Sequence, residues 1–167
     1  MTDNDPHRFD RLPEDESDRE IPERATREEV LAFWADRYGV PREVFADFSL
    51  WERGKGKIWV CRGDEPSPVD VEGLGLTFLR TRQEHWKPTL EAVQRFGDHA
   101  DRNVVALSEG EAATFLAGED QELDWDGDWG YLVVTHGVAG APDPLGVGLY
   151  VYGELRSQVP KGRRRRL

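Results

Sequence analysis

Basic residues alternate with aromatic residues in two stretches of the sequence. The members are Trp51, Arg53, Lys55, Lys57 and Trp59 in the first stretch, and Arg80, Arg82, His85, Trp86 and Lys87 in the second. Cations neutralise phosphates, and flat rings stack on unpaired bases with a gain of about 1–3 kcal/mol per base. This combination of residue types favours a surface that binds nucleic acid.

The end of the chain, VPKGRRRRL, is also basic. Lys161 and Arg163 to Arg166 lie there, and no acidic residue follows Glu154, although the formal net charge of the whole chain is −11 at pH 7. A run of like charges is typical of a disordered tail, and a basic run is also typical of a phosphate-binding surface. These residues alone leave both interpretations open.

The two basic stretches have a purely structural interpretation as well. A tryptophan in a strand more often fills the core than stacks on a base, and lysines and arginines often form an ordinary solvated face. The residue types therefore leave open whether the tryptophans contact a ligand or only fill the core.

The overall composition is acidic and poor in lysine. The chain has 33 acidic and 22 basic residues, and only four of the basic residues are lysines. Such a composition is typical of a halophilic protein. In about 1 M salt the Debye length is only ~3 Å, so the net charge would repel an anionic partner far less than in dilute buffer.

Neither a membrane segment nor a secretion signal is visible in the sequence. No apolar run approaches the roughly 20 residues that a membrane span needs, and Met1 is followed by the polar residues Thr2 to Asp5. This pattern predicts a soluble, cytoplasmic protein without a membrane partner.

Few residues could support catalysis or bind a metal. Cys61 is the only cysteine, and the four histidines lack metal-ligand spacing. Asp124, Asp126 and Asp128 alternate as in an EF-hand loop, but the glycine of such a loop is misplaced and no glutamate closes it. The sequence therefore predicts no enzyme, no cofactor and no metal site.

The elements that position these residues begin after a charged N-terminus. Residues 1–24 lack apolar periodicity and predict a disordered acidic tail. Thr26 and Glu29 have capping-box spacing, an apolar stripe follows, and Gly39 ends the helix. Residues 25–47 are therefore predicted to be an N-terminal helical segment.

The stretch FSLWERGKGKIWVCRG predicts a β-hairpin that turns at Gly54 to Gly56. Alternation places Lys57, Trp59 and Cys61 on one face of its second strand. Further short strands follow, with short helices in KPTLEAVQRFG and SEGEAATFLAG. This order predicts an α+β fold, a small mixed β-barrel with short helices.

Two segments of the sequence resemble one known family. RTRQEHWKPTLEA is similar to a segment of basic residues, an aromatic residue and Pro-Ser or Pro-Thr in the C-terminal region of RsmF-type RNA cytosine-5 methyltransferases, the Nop/Sun family. The end of the chain is similar to the same region through Gly130-Tyr131, Pro144 to Gly148, and Pro160-Lys161-Gly162-Arg163. The resemblance covers roughly residues 48–167 and implies a PUA-like RNA-binding domain there.

The resemblance also implies a set of RNA-binding residues. Lys161 and Arg163 would end the folded domain beside a phosphate-contacting surface, and Arg164 to Arg166 would extend that surface. Together with the two basic stretches, the candidate RNA-binding residues are Arg53, Lys55, Lys57, Arg80, Arg82, His85, Trp86, Lys87, Lys161, Arg163 and Arg164.

The sequence thus predicts a non-catalytic RNA-binding protein that engages structured rRNA or tRNA, and not DNA, in RNA modification or ribosome biogenesis. The family's chemistry uses a cysteine on a separate SAM-binding domain that does not fit into this chain, so a separate RNA methyltransferase is an expected partner. The alternative is a protein-interaction module, in which the N-terminal helix and the acidic loop EDQELDWDGD dock a methyltransferase or a ribosomal protein.

Overall fold

The computed structural model describes residues 8–63, 65–71, 73–138 and 141–164. These residues form two β-sheets and three short α-helices, together with several 3-10 turns. The predicted α+β class is therefore confirmed. Two sheets that each bury at least one face require helices or the other sheet to cover them, and both arrangements occur in this protein.

The first sheet lies in the N-terminal half of the chain. Its strands are β1 (Arg8–Arg11), β2 (Phe48–Arg53), β3 (Lys57–Arg62), β4 (Val69–Asp70), β5 (Leu76–Arg80) and β6 (Lys87–Pro88). Their order is β4-β1-β2-β3-β5-β6, and every neighbouring pair is antiparallel. The predicted hairpin is the central β2–β3 pair, with Gly54 and Gly56 at positive φ in its turn.

The second sheet follows in the C-terminal half. Its strands are β7 (Val104–Ala106), β8 (Gln121–Glu122), β9 (Gly130–Val138), β10 (Ala141–Val151) and β11 (Glu154–Ser157). Their order is β7-β9-β10-β11-β8. The pair β7–β9 is parallel and the other pairs are antiparallel, so this sheet is mixed.

The three α-helices begin at side-chain caps. They are α1 (Arg27–Tyr38), α2 (Leu90–Phe96) and α3 (Glu109–Leu116). Thr26 and Ser108 each cap a helix in a complete capping box, as the spacing of Thr26 from Glu29 and the equal spacing of Ser108 from Glu111 predict, and Thr89 caps α2. Gly39 ends α1 in the left-handed conformation with φ 70°, which confirms the predicted end of this helix.

The larger hydrophobic core joins the two halves of the chain. It contains residues of the first sheet, of α1 and α2, and of one face of the second sheet, including Val133 and Val147. Aromatic contacts run through it, with Trp34 of α1 stacked on Phe78 of β5 at 5.2 Å between ring centroids. Such contacts add about 0.5–1.5 kcal/mol each beyond burial, so α1 is an integral part of this core.

A smaller core lies on the opposite face of the second sheet, under α3. Phe115 of α3 packs there with Leu132 and Val134 of β9 and with Leu155 of β11, and all four are almost completely buried. The second sheet is therefore covered on both faces in this region, which explains the continuous apolar run in β9.

The prediction of a disordered tail over residues 1–24 is wrong for residues 8–24. β1 pairs with β2 and β4, and Phe9 and Leu12 are buried. Arg24 Nε donates to Glu52 Oε1 at 2.6 Å, which neutralises a buried carboxylate. The few apolar residues of this segment produce no periodic pattern, but strand pairing and this ion pair hold the segment in place. Residues 1–7 lie outside the described part of the chain.

The turn between β10 and β11 contains an unusual residue. Val151 pairs with Glu154, so the loop consists only of Tyr152 and Gly153, whose φ angles are 54° and 77°. Positive φ at both positions is the pattern of a type I′ turn, which favours Asn-Gly. The left-handed conformation costs an ordinary residue about 1–2 kcal/mol, and asparagine adopts it more readily than tyrosine or alanine.

We therefore expect Tyr152→Asn to have a free energy of unfolding about 1 kcal/mol higher than Tyr152→Ala. Both substitutions remove the tyrosine ring and its contacts, so the comparison reports the backbone conformation alone. Urea denaturation of the two variants measures the difference. Equal stabilities would contradict the turn conformation described above.

Candidate nucleic-acid interface

The β2–β3 hairpin separates apolar from basic residues by strand alternation. Ile58 and Val60 of β3 are only 1% and 2% exposed and belong to the larger core. Lys57, Trp59 and Cys61 point to the other face, where exposure is greater. The predicted alternation along this strand is therefore confirmed. This alternation determines which basic residues of the hairpin are exposed to a ligand.

Three cations from three adjacent strands lie side by side on the first sheet. Lys57 of β3 is the partner of Arg80 of β5, and Arg80 is the partner of Lys87 of β6. Directly opposed residues in antiparallel strands have Cβ atoms about 4.5–5.5 Å apart. We call Lys57, Arg80 and Lys87 the cation row. Residues 30 positions apart in sequence thus form one local concentration of positive charge.

The inner end of the cation row is held in place by the second sheet. Lys87 Nζ donates to Gln158 Oε1 at 3.0 Å and lies 5.5 Å from the ring centroid of Tyr131. Burial lowers the pKa of Lys87, and the nearby charge of Arg80 lowers it further. Arg80 and Lys87 thus repel each other in the free protein, and a phosphate placed between them would relieve that repulsion.

Two adjoining cavities border the cation row. The first has a volume of about 100 Å³ and its lining includes Arg53, Lys57, Trp59 and Arg80. The second has a volume of about 150 Å³ and its lining includes Arg80, Lys87, Gln158 and Pro160. Both cavities share Thr77, Arg80 and Thr89 in their linings. The two cavities therefore adjoin along the cations, and we call them together the depression beside the cation row.

The tryptophans of the first basic stretch are mainly structural. Trp51 is completely buried, and its Nε1 donates to Ser49 Oγ at 2.8 Å. Trp59 contacts the ring of Phe9 edge-on, and the guanidinium of Arg53 covers it at 4.7 Å from the ring centroid. A base cannot stack on a ring face that a side chain already covers. The core interpretation left open by the sequence therefore holds for Trp51, and Arg53 acts as a cover for Trp59.

The second basic stretch also contains both a core side chain and exposed side chains. Trp86 is half-buried and packs against the larger core, with its ring 5.5 Å from that of Phe33. His85 is exposed, and it lies against Gly130, where a Cβ atom would be 3.5 Å from His85 Nδ1. The side chain of Arg82 packs on Gly56 in the hairpin turn. These residues surround the cation row without belonging to it.

Lys55 and Arg82 share a separate small cavity with acidic residues. This cavity of about 40 Å³ is also lined by Glu23 and Glu52. Glu52 Oε2 accepts a hydrogen bond from the backbone N–H of Gly56 at 2.9 Å, so its carboxylate closes the turn. Two carboxylates line this cavity together with Arg24, whereas among the described lining residues of the two cavities beside the cation row the one acidic residue is Glu91. Lys55 and Arg82 therefore present less net positive charge to an anion than the cation row does.

The described basic residues of the C-terminus differ in their contacts within the protein. Lys161 and Arg163 are exposed in a 3-10 turn that directly follows Pro160, a lining residue of the second cavity. Arg164 Nε donates to the carbonyl of Val159 at 3.2 Å, and its side chain lies on Gly118 beyond the end of α3. Arg164 is thus engaged in an intramolecular contact. Arg165 and Arg166 lie outside the described residues.

Sequence reasoning missed two residues that position the cation row. Gln158, the acceptor for Lys87, is 71 positions away along the chain, and Tyr131 also receives a hydrogen bond from Gln83 Nε2 at 2.9 Å. No local pattern signals contacts between residues so far apart. Only the packing of the second sheet against the first brings them together.

Metal-binding clusters and membrane-spanning helices are both absent from the described part of the chain. Within residues 8–63, 65–71, 73–138 and 141–164, no three histidine, cysteine or acidic side chains are grouped so that they could hold a metal ion. None of the helices in these ranges has the length and apolar character needed to cross a bilayer.

Two family models match different parts of the chain. Residues 102–165 match the model described as the methyltransferase RsmF PUA domain, and residues 1–75 match a family of unknown function, DUF7122. The first match covers the PUA domain of that methyltransferase and not its catalytic domain. It includes the second sheet, α3 and the C-terminal turn, and it is shorter than the range of 48–167 expected from the sequence.

Other comparisons are weaker. No curated protein matches the sequence. A solved structure of a hypothetical protein from the hyperthermophilic archaeon Pyrococcus horikoshii OT3 is similar with a TM-score of 0.45 and 19% sequence identity, over 78% of this chain and 77% of that chain.

The proximity of Arg80 and Lys87 can be tested by titration. We expect Arg80→Gln to raise the pKa of Lys87, because the substitution removes one of the two causes that lower it. The chain has only four lysines, so NMR can follow the side-chain signals of Lys87 separately. Arg156→Gln, on β11, serves as the charge-matched control and should leave the pKa of Lys87 unchanged. An unchanged pKa in Arg80→Gln would contradict the described row.

Proposed function

Residues 102–165 form a PUA-like domain of the RsmF type, and from this premise we propose that the protein is a non-catalytic RNA-binding protein. A PUA domain implies RNA binding in general. The proposed ligand is structured RNA, such as rRNA or tRNA, and the proposed setting is RNA modification or ribosome biogenesis. A separate RNA methyltransferase would then supply the catalytic domain that the match does not include.

The observation that carries this proposal is the cation row and the depression beside it. The whole chain has a formal net charge of −11, so a polyanion is repelled by most of its surface. Binding then requires a place where cations outnumber carboxylates. Lys57, Arg80 and Lys87 provide such a place on three hydrogen-bonded strands, next to the PUA-like part of the chain.

The geometry of the cation row favours a structured ligand. Neighbouring strands are about 4.8 Å apart, so the row extends over roughly 10 Å and is fixed by the β-ladder. Because the backbone positions of these cations are fixed, the row contacts phosphates held at fixed spacing more favourably than those of a flexible strand, since less ordering of the ligand is needed on binding. At this surface, the burial of Trp51 and the cover on Trp59 support the same conclusion, since stacking on single-stranded bases would need free ring faces beside the cation row.

The alternative role of α1 as a docking helix lacks support. Val30, Trp34 and Tyr38 form its apolar face, and each of these residues is completely buried in the larger core. Tyr38 also donates a hydrogen bond to the carbonyl of Tyr131 at 2.8 Å. The apolar face of this helix is therefore occupied within the protein.

We expect the affinity of the double variant Lys57→Ala/Arg80→Ala for a folded tRNA to be at least about tenfold lower than that of the parent protein, because alanine cannot neutralise a phosphate. The slope of log K against log salt concentration should decrease by about 0.7–0.9 for each phosphate that the variant no longer neutralises. Fluorescence anisotropy at several salt concentrations measures both quantities. A DNA hairpin of similar length should bind more weakly than the RNA.

The matched control is Arg42→Ala/Arg102→Ala. Both arginines are exposed and lie outside the cation row, so this variant has the same net charge as the test variant. Equal weakening by the two variants would show a general charge effect and would overturn the proposed site. The absence of any RNA binding by the unmodified protein would overturn the proposed function itself.

The C-terminal turn provides an independent test of the same surface. We expect Lys161→Ala/Arg163→Ala to weaken RNA binding severalfold, because both residues follow the segment that lines the second cavity. Arg164→Ala is the control, since Arg164 is engaged with Val159 and Gly118 and should affect affinity less. A gel-shift titration at the salt concentration of the native cytoplasm measures the affinities. Equal binding by the double variant and the parent protein would remove Lys161 and Arg163 from the site.

A further inference from the structure

Two large aromatic side chains are exposed side by side at one end of the second sheet. Trp129 is 51% exposed and Tyr152 is 80% exposed, and they are the two most exposed large hydrophobic residues in the described part of the chain. Their ring centroids are 4.9 Å apart, with the ring planes inclined at 65°. We call these two residues the aromatic pair. Burying either ring in the protein's own core would be more favourable than leaving it in water.

Both members of the aromatic pair are attached to ordered backbone. Trp129 precedes Gly130, which pairs with Tyr150, and the carbonyl of Trp129 accepts a hydrogen bond from Arg37 Nη2 at 3.2 Å. Tyr152 lies in the two-residue turn between β10 and β11. The rings are therefore presented at fixed positions, which lowers the entropic cost of binding a partner.

Carboxylates are concentrated on the chain segment that leads to Trp129. The segment 119–130 contains six acidic residues and no basic residue. It is tied to the turn of Tyr152 by a hydrogen bond from the N–H of Leu123 to the carbonyl of Gly153 at 3.1 Å. Glu122 of β8 lies opposite Glu154 of β11 in the adjacent strand pair. The exposed side chains of Glu122 and Asp124 are thus close to the turn.

One carboxylate near the aromatic pair is neutralised, because Glu154 forms an ion pair with Arg156 at 2.9 Å. Asp128 accepts a hydrogen bond from the neutral amide of Asn103 at 3.0 Å, which leaves its charge in place. Arg37 also keeps its charge, since its guanidinium donates to the uncharged carbonyls of Trp129 and Tyr131. The six carboxylates of the segment 119–130 outnumber this cation, so the segment beside the aromatic pair is predominantly negative and would repel phosphate.

We propose that the aromatic pair and the neighbouring carboxylates form a docking surface for an arginine-rich segment of a partner protein. A guanidinium group lies flat on aromatic rings and also forms two parallel hydrogen bonds with a carboxylate, so arginine satisfies both features of this surface. Tryptophan and tyrosine are also the residue types that most often dominate the binding energy of protein interfaces. The charge of this surface is opposite to that of the cation row. The test of the docking surface does not depend on RNA binding.

The docking surface lies close to the cation row. Tyr131, whose ring lies by Lys87 of the cation row, is only two positions from Trp129 on the same chain segment. A partner with an arginine-rich segment that is docked on the aromatic pair would therefore be held beside an RNA bound at the cation row. Proteins that themselves contact RNA commonly carry such segments.

The test uses the full chain and a fluorescently labelled oligoarginine peptide, with an oligoglutamate peptide of equal length as the ligand control. We expect the unmodified protein to bind oligoarginine and not oligoglutamate. Trp129→Ala and Tyr152→Asn should each weaken oligoarginine binding by about three- to tenfold. Tyr152→Asn is suited to this purpose because asparagine retains the turn conformation, and thermal unfolding confirms that the variant is folded.

The contribution of the carboxylates is tested with a matched pair of variants. Glu122→Gln/Asp124→Asn should weaken oligoarginine binding, whereas Glu28→Gln/Asp36→Asn, which neutralises two exposed carboxylates on α1, should not. Equal weakening by both would indicate general charge attraction and would overturn the proposal. Loss of single-stranded RNA binding in Trp129→Ala and Tyr152→Asn, with oligoarginine binding unchanged, would instead identify a base-stacking platform and would also overturn it.

Discussion

The register between β3 and β5 determines which side chains the first sheet presents to solvent. Ile58 is paired with Leu79, and both are buried, while the neighbouring pair of Lys57 and Arg80 is exposed. An irregularity in the ladder next to Ile58 allows two consecutive residues of β5, Phe78 and Leu79, to enter the core together. A shift of one residue would turn Ile58 to water and Lys57 to the core, so the burial of the apolar face maintains the arrangement of the cations.

The charges of the protein are divided between two neighbouring surfaces of opposite sign. The cation row lies on the first sheet, and its inner residue Lys87 reaches Tyr131 and Gln158 of the C-terminal half. The acidic loop lies at the end of the second sheet, beside Trp129 and Tyr152. An acidic overall composition therefore does not describe what a ligand meets at the cation row. The local balance of charge decides which partner each surface attracts.

Local features of the fold could be predicted from the sequence, whereas long-range contacts could not. The capping boxes at Thr26 and Ser108, the hairpin turn and the alternation in β3 all depend on residues within a few positions of one another. The segment 8–24 was predicted incorrectly because its order depends on pairing with β2 and on the contact between Arg24 and Glu52, which are 28 positions apart. The division of the chain at residue 48 remains a prediction.

In the candidate site too, local features could be predicted and long-range contacts could not. Residue types alone identified the cations of β3, β5 and β6, and strand pairing explains why they meet. Residue types could not decide the role of the tryptophans in the basic stretches, because a tryptophan in a strand can either fill the core or stack on a base, and only the structure shows that Trp51 is completely buried. Only the cover provided by other elements separates a core tryptophan from one that is available to a partner.

The shared core has a consequence for how this protein can be divided or recombined. Trp34 of α1 stacks on Phe78, and Tyr38 donates a hydrogen bond to the carbonyl of Tyr131 in the PUA-like part. A fragment that begins at residue 48 would lack both of these interactions and would expose apolar surface on both sheets. The N-terminal helix must therefore accompany the C-terminal part in any chimera or truncated expression product, and the two halves should unfold in a single cooperative transition.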